Sequence, residues 1–355
     1  MTILISTLAD RLQSLLGDYE GAYANRYLDS INDACRETYP RLHRKIVNTE
    51  LITGNILPPF NWPTTATLDA YTVPTGTLLK TTTAGYIRGG VTSAKVTASG
   101  ADDSIVLDSN AYPRLLDLMD KVATLKCWCL AQNASDSFLD IVTTDSAGAD
   151  TTESSTTTST AAMYTLIEIE DYDVPDDITR LRVNLRTHTD TKYVYFAQPR
   201  LMGSAVYEYM LPDELQNGDV KQVWIQTSGY SDDICDDLHP KFGEEVFGWT
   251  IIDDGTYKYL RMPYLSTGKR LKLIGCCPLE DDSDATTDTI SMDDKYIPTL
   301  LYYAAHSVYE KVGGIVSGDS RTKYQEESMR WLWKYEKMGL RMPRIPGQIH
   351  WSLDG

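Results

Sequence analysis

Apolar residues recur at helical spacing near both ends of the chain and alternate in its middle. In "TLADRLQSLLGD" (7–18), Leu8, Leu12, Leu15 and Leu16 share one helix face, and Gly17 supplies the stop. A second helix is predicted in "YANRYLDSINDACRETYPRLHRKI" (23–46), with Tyr27, Leu28, Ile31, Ala34, Cys35 and Tyr39 on one side. Pro40 must kink or break it, because proline lacks the amide donor and clashes with the preceding turn. From "LPPFNWPTT" (57–65) to "PRLMGS" (199–204) the helical period vanishes, and Thr, Ser, Val, Ile and Gly dominate. Runs with period two replace it: "GYIRGG", "SAKVTA", "SIVLD", "TLKCWCLA", "FLDIVTT", "YTLIEIE", "LRVNLRT" and "KYVYFA". Short alternating strands separated by turn residues predict a sandwich or a barrel. The stretch "DSAGADTTESSTTTST" (145–160) carries no core residue and is read as a polar connection between strands.

After Ser204 the texture changes again. "VKQVWIQ", "WTIIDD", "YKYLRMP" and "KRLKLIGCCP" read as strands, with "DDGTY" (253–257) as a hairpin turn. An acidic loop, "EDDSDATTDTISMDD", precedes two helices, "YIPTLLYYAAHSVYEKVG" (296–313) and "RTKYQEESMRWLWKYEKMG" (321–339). The remainder, 341–355, holds two prolines and is expected to be extended. The expected fold class is therefore α+β. A mainly helical domain with a small antiparallel β element, built from 1–57 and 205–340, is interrupted by an all-β sandwich at 58–204. Insertions of this kind are tolerated where the two ends of the guest lie close together.

Charge changes the picture of partners. Thirty-three basic residues stand against fifty acidic ones, a net charge of −17. That excess argues against wrapping nucleic acid, which requires a basic footprint, and fits a surface to which DNA must not stick. The segment from Arg321 to Arg344 is the local exception, with seven Lys/Arg against Glu326, Glu327 and Glu336. No run approaches the ~20 apolar residues of a membrane span. The opening "MTILISTLADRLQSLL" lacks a basic n-region and is read as a helix rather than a signal peptide, so synthesis in the cytoplasm is expected.

The cysteines form no framework. Cys127 and Cys129 point to one strand face, Cys276 and Cys277 to opposite faces, and Cys35 and Cys235 stand apart. There is no CxxC and no Cys/His spacing suited to zinc, so buried thiols in a reducing compartment are expected. GxSxG, HExxH and GxxxxGK[ST] are missing as well. "STGKR" (266–270) has Arg270 where a phosphate loop needs a hydroxyl, and reads as a turn. The five histidines (His43, His188, His239, His306, His350) are scattered. The acidic pairs, such as Asp102-Asp103, Asp253-Asp254 and Asp293-Asp294, lie in polar loops, whereas a general acid needs burial to raise its pKa. No enzyme and no cofactor are expected. A structural calcium has loop carboxylates to draw on but no DxDxDG signature.

Two resemblances add to this reading. "GYIRGGVTSAKVTA", "LLDLMDKVATLKCWCLAQNAS" and "ITRLRVNLRTHTDTKYVYFAQPRLMG" resemble strands of carbohydrate-binding-module-like (galactose-binding-like) jelly rolls over about 60 to 204. In the last of these Ala197-Gln198 replace an acidic pair that in many members supports a structural calcium or the hairpin. The resemblance implies a jelly roll with aromatic platforms for sugars, for which Trp62, Tyr86, Tyr112 and Trp128 are the candidates.

The outer segments are similar to head-to-tail adaptor (neck) proteins of tailed bacteriophages. The likeness is carried by "TLADRLQSLLGD", by "YLDSINDACRETYPRL" with Ile31, Asn32 and Ala34, by "YKYLRMPYLSTGKRLKLIGCCPL" and by "DDKYIPTLLYYAAHSVYEKVG". It implies a virion protein at the head–tail junction, assembled in the host cytoplasm. Neighbouring copies would form a homo-oligomeric, dodecameric ring between the portal and a downstream neck or tail protein, with double-stranded DNA passing through and no membrane involved. Arg330, Trp331, Trp333, Arg341 and Arg344 are then candidates for docking on the portal. Trp331 and Trp333, two residues apart on a helix, cannot both face its core, so one belongs at an interface. The alternative is a glycan-binding, receptor-recognition virion protein whose sandwich is the functional module.

Overall fold

The computed structural model describes residues 2–39, 41–59, 71–72, 76–88, 93–100, 102–204, 206–227, 241–263, 265, 267–279 and 288–339. Its strands in chain order are β1 (Thr2–Leu4), β2 (Arg44–Asn48), β3 (Tyr71–Thr72), β4 (Thr77–Thr81), β5 (Ser93–Thr97), β6 (Asp103–Asp108) and β7 (Val122–Ala131). Next come β8 (Ser137–Asp145), β9 (Asp150–Ser154), β10 (Tyr164–Asp173), β11 (Ile178–Thr187), β12 (Tyr193–Gly203) and β13 (Glu208–Met210). The last are β14 (Asp219–Gln226), β15 (Phe242–Glu245), β16 (Thr250–Asp253), β17 (Lys258–Arg261), β18 (Leu271–Cys277) and β19 (Thr289–Ser291). The chain divides into two compact units. One comprises Met1–Ile46, Asn217–Lys221 and Gly275–Gly355, the other Val47–Gln216 and Gln222–Ile274.

The protein is mostly β, with 40% of the described residues in strands and 27% in helices. The expectation of a mainly helical α+β host around the sandwich is thereby corrected. Between Glu208 and Cys277 the described residues form six strands, β13 to β18, where a small β element was expected. These pair into a three-stranded sheet, β13-β17-β16, and a four-stranded sheet, β15-β14-β18-β2.

Among the described residues the sandwich consists of two five-stranded antiparallel sheets, ordered β10-β7-β12-β5-β4 and β3-β6-β11-β8-β9. From β5 to β8 and from β9 to β12, each successive strand crosses to the other sheet, which is the winding of a jelly roll. Alternation builds the core. Leu125, Cys127 and Cys129 of β7, Ile167 and Ile169 of β10, and Val194 and Phe196 of β12 meet Leu139, Ile141, Leu181, Val183 and Leu185 of the facing sheet. The turn Pro113–Leu118 adds Leu115 and Leu118 to this core. Full burial of each such aliphatic side chain contributes ~1.5–3 kcal/mol.

Two local expectations fail for identifiable reasons. The polar stretch expected to be a loop contains β9, an edge strand whose five residues are all exposed. Having no buried face, it leaves no period-two signal. "GYIRGG", expected as a strand, begins instead with a 3-10 turn at Ala84–Tyr86. In β12 the register slips between Ala197 and Arg200, and Gln198 takes a positive φ of 52°, so Gln198-Pro199 form a bulge. The predicted hairpin is present: Asp253 and Asp254 accept the amides of Gly255 and Thr256 at 2.8 and 2.9 Å, and Gly255 adopts φ 88°.

The other unit contains the helices Ile5–Leu16, Ala24–Glu37, Ile297–Gly313 and Asp319–Gly339 and the antiparallel pair of β1 with β19. Leu8, Leu12, Ile31, Ala34, Leu300, Ala304 and Val308 form its core. Gly17 ends the first helix in the left-handed region at φ 69°. The buried Asp18 carboxylate then accepts the amides of Ala22 and Tyr23 at 2.8 and 2.9 Å and the Tyr27 hydroxyl, organising the start of the second helix. That helix ends at Glu37, before Pro40. Among the described residues no helix is long and apolar enough to cross a membrane.

Candidate functional site

The sheet β10-β7-β12-β5-β4 turns one face to the core, and its other face carries a set of aromatic and charged side chains fixed by register. Tyr164 pairs with Leu130, Leu130 with Tyr195, Tyr195 with Lys95 and Lys95 with Leu79, giving one row across all five strands. The next row on one side is Leu166, Trp128 and Ala197, followed by Glu168, Lys126 and Arg200. On the other side lie Tyr193, Thr97 and Thr77. Because side chains alternate, inward Cys127, Cys129, Val194 and Phe196 require Trp128, Leu130, Tyr193 and Tyr195 to point away from the core.

The segment that begins at Ala84 folds over this face. The Tyr86 ring stacks on Tyr195, with centroids 4.5 Å apart and planes 8° from parallel. Its carbonyl accepts the Tyr164 hydroxyl at 2.7 Å and the Ser93 hydroxyl. Two residues on, the Arg88 guanidinium lies 4.1 Å over the Trp128 ring and 6.0 Å over Tyr164. Tyr193 meets Tyr195 edge-on at 5.5 Å, and the Lys95 ammonium sits 4.4 Å from the Tyr193 ring. Burial pushes the hydroxyls of Tyr164 and Tyr195 above the ordinary tyrosine value, so both remain neutral donors.

The consequence is a division of roles among the rings. Trp128 is 5% exposed and Tyr195 6%, whereas Tyr86 is 39% exposed. Tyr86 thus presents one ring face outward while Tyr195 supports the other. Beneath the far rows, Lys126 is held by Glu168 at 3.1 Å and Glu170 at 3.3 Å. The bulge residue Gln198 offers its carbonyl to Arg200 at 2.9 Å and to the buried Arg270 at 2.6 Å.

Of the described residues expected to contact glycan, Tyr86 and Trp128 fall on this face. Tyr112 is a correction: it is 2% exposed and packs in the sandwich core, where the turn before Pro113 directs it inward. Trp62 lies outside the described residues. In the helical unit, Trp331 is 7% exposed and belongs to the core, while Trp333 on the same helix is 58% exposed with Lys337 4.7 Å over its ring. Arg330 is exposed and pairs with Glu327 at 3.4 Å. Arg341 and Arg344 lie outside the described residues. The sequence reading missed Tyr195, Tyr193, Lys95 and Arg88. Alternation in "KYVYFA" marks Tyr193 and Tyr195 as outward, but nothing in the sequence shows that Tyr86 returns to cover one of them.

Asp102 and Asp103, one of the acidic pairs, make contacts within the sandwich. Asp102 meets Arg186 at 3.0 Å and His188 at 2.8 Å, and Asp103 accepts the Ser99 amide at 2.6 Å. Among the described residues no three His, Cys, Asp or Glu side chains are grouped to hold a metal.

No protein-family model matches the sequence, and a search of curated proteins finds no match. Solved structures do align with part of it. The family 22 carbohydrate-binding module of Clostridium thermocellum Xyn10B is 17% identical over 39% of this chain and 87% of its own, with a TM-score of 0.32. The xylan-binding domain CBM22-1 of Paenibacillus barcinonensis Xyn10C is 13% identical over 40% and 90%, at 0.33. The enzymatically active domain of bacteriophage CBA120 tailspike protein 4 is 13% identical over 38% and 19%, at 0.27. The structural neighbours are thus carbohydrate-binding modules and a phage tailspike domain, and none of these three is a head-to-tail adaptor. At these scores the likeness decides neither ligand nor partner.

Proposed function

We propose that this is a glycan-binding protein whose sandwich is the functional module, serving receptor recognition on a phage particle. The supporting observation is Tyr86, an aromatic ring exposed on one face, stacked on Tyr195 from behind and pinned through its carbonyl by Tyr164. The apolar C–H face of a sugar packs on such a ring, and a platform already held in place costs little ordering entropy on binding. Tyr193 and Lys95 lie beside it as a second ring and a hydrogen-bond donor. Binding rather than turnover is the proposed role.

The test is a glycan array probed with the intact protein and with Tyr86→Ala. Retention of one or a few neutral glycans by the wild type, lost in the variant, is expected. Equal retention by both proteins would remove the face from consideration, and no retention of any glycan would remove the function.

A second reading is favoured by one observation in the helical unit. Trp333 and Met329, one turn apart on Asp319–Gly339, are 58% and 62% exposed, while Trp331 is buried. Such a pair beside Arg330 is the composition of an interface anchor. We propose that this stripe holds the protein in the virion, with the portal as its docking partner. Pull-down of the portal by wild type but not by Trp333→Ala supports this, and equal capture by both overturns it.

A further inference from the structure

A recess elsewhere in the sandwich-containing unit is built from different chemistry than the Tyr86 face. The turn Pro113–Leu118 brings Arg114 and Asp117, followed by Lys121, to one wall. The pair β13 and β17 supplies the other wall, with Glu208 directly opposite Arg261 in register. Ile56, Val206 and Met262 contribute apolar surface, and Tyr207 an aromatic ring 39% exposed. The recess measures about 650 Å³, within the ~300–1,000 Å³ of small-ligand sites.

Its polar groups are ordered before any ligand arrives. Glu208 accepts from Arg261 Nε at 2.7 Å and from a second Arg261 nitrogen, and its other oxygen accepts from Arg114. Arg114 is further fixed by stacking 3.8 Å over the Tyr259 ring. Lys121 donates to the Asp117 carbonyl at 2.6 Å. A guanidinium has five N–H donors and an ammonium three. Glu208 engages two donors of Arg261, whose side chain is 59% exposed and lines the recess. Three cations (Arg114, Lys121, Arg261) line the recess against two carboxylates (Asp117, Glu208), leaving one positive charge on a chain that carries −17 overall.

We infer that this recess binds a carboxylated saccharide, a uronic acid residue of an acidic glycan. A single net positive charge matches a monoanion. The planar fork of Arg261 matches a carboxylate, and the Tyr207 ring with its apolar neighbours matches the C–H face of a pyranose. The inference is independent of the Tyr86 face and stands whether or not that face binds sugar.

The test titrates the full-length protein with methyl glucuronoside and methyl glucoside, which differ in the carboxylate, followed by ligand-observed NMR. The glucuronoside should bind roughly tenfold or more tightly than the glucoside, since hydrogen bonds to a charged group carry most of the difference. Lys121→Ala and Arg261→Ala should each weaken it several-fold. Arg261→Lys should weaken it too, because the charge stays while the fork is lost. The preference for the glucuronoside over the glucoside should persist in Tyr86→Ala, so that failure here is distinguishable from failure of the aromatic face. Equal binding of the two glycosides, binding of neither, or indifference to both alanine variants would overturn the assignment. Displacement by inorganic sulfate at the same concentration as the glucuronoside would do so as well, by showing an anion site without sugar selectivity.

Discussion

Tyr86 and Tyr195 stack face to face, with centroids 4.5 Å apart and planes 8° from parallel, although they are more than a hundred positions apart in sequence. One ring belongs to a short turn and the other to the central strand of a sheet. The strand ring gives the turn ring a fixed orientation. Such a pair contributes ~0.5–1.5 kcal/mol beyond its burial. If Tyr86 is the sugar platform, Tyr86→Ala should reduce glycan affinity roughly tenfold and lower stability by about the worth of the stacked pair, less than Tyr195→Ala because Tyr86 is the more exposed ring. Tyr195→Ala should reduce affinity as well, through loss of support, and also lower stability, whereas Tyr195→Phe should preserve both. Calorimetric titration and thermal melts of the three variants separate contact from support.

Trp331 and Trp333 offer a contrast within one helix. Trp331 is 7% exposed, near Tyr302 at 5.8 Å between ring centroids, and Lys334 lies 3.6 Å over its ring. Trp331→Ala should cost ~3–5 kcal/mol, the transfer of a large aromatic plus the cavity left behind. Trp333→Ala should stay within ~0.5 kcal/mol, as for surface substitutions without a buried partner. Chemical denaturation of both variants checks this, and a large loss from Trp333→Ala would mean that its ring is covered in solution.

Asp18 links stability to pH. Burial works to raise its carboxyl pKa, but the hydrogen bonds from Tyr27, Tyr23 and Ala22 outweigh it and hold the value below the ordinary 3.8. A depressed folded-state value means that the ionised form is preferred in the native protein. Its stabilisation is therefore fully present above about pH 4, and is lost as pH falls from there through the folded value. Asp18→Ala should cost ~1–3 kcal/mol at neutral pH, the range for losing hydrogen bonds to a charged group. The difference between wild type and variant should shrink on acidification below the ordinary carboxylate range, measured by urea midpoints. A difference that stayed constant would show that the carboxylate is not held as ionised.

The sandwich was legible where alternation had one wet and one dry face. Leu181, Val183 and Leu185 alternate with Arg180, Arg182 and Arg186, and β11 lies where that pattern predicts. The pattern fails where both faces are dry or both are wet. In β7 outward Lys126 and Trp128 are buried as well as inward Cys127, with two glutamates on the lysine and Arg88 over the indole. In β9 nothing is buried, so Thr151 and Thr152 read as loop. The fold class was misjudged for a related reason. Strands such as Glu208–Met210 and Thr250–Asp253 are three and four residues long, too short to outweigh the long periodic helices. Tyr86 was identified as a candidate because it is aromatic. Its partner Tyr195 was not, since stacking across that separation has no local signal.

Gly218 occupies a position where only glycine fits. A Cβ there would lie 2.4 Å from the Cys276 carbonyl oxygen and 3.2 Å from the Cys277 Cα. These are backbone atoms paired in a strand, so they cannot rotate aside as a side chain would. Gly218→Ala should cost ~1–3 kcal/mol, the usual penalty of overpacking that shifts backbone. Gly85→Ala is the control, since a Cβ at Gly85 meets nothing within 4 Å. Parallel thermal melts should show a clear loss for Gly218→Ala and none for Gly85→Ala.

Arg88 and Trp128 decide whether the platform can grow beyond Tyr86. The guanidinium lies 4.1 Å over the indole, which is 5% exposed. A cation–π contact of this kind contributes ~0.5–2 kcal/mol, small enough for a sugar ring to displace it. Arg88→Ala should leave the fold intact and make Trp128 accessible to a neutral quencher. Acrylamide quenching of intrinsic fluorescence should rise in Arg88→Ala and return towards the wild-type level in Arg88→Ala combined with Trp128→Phe. If the uncovered indole takes the next sugar along a chain, the same single variant should bind long neutral glycans more tightly than the wild type while binding short ones equally. Reduced binding of both lengths would instead make Arg88 itself a ligand contact, and Trp128 only the surface on which it rests.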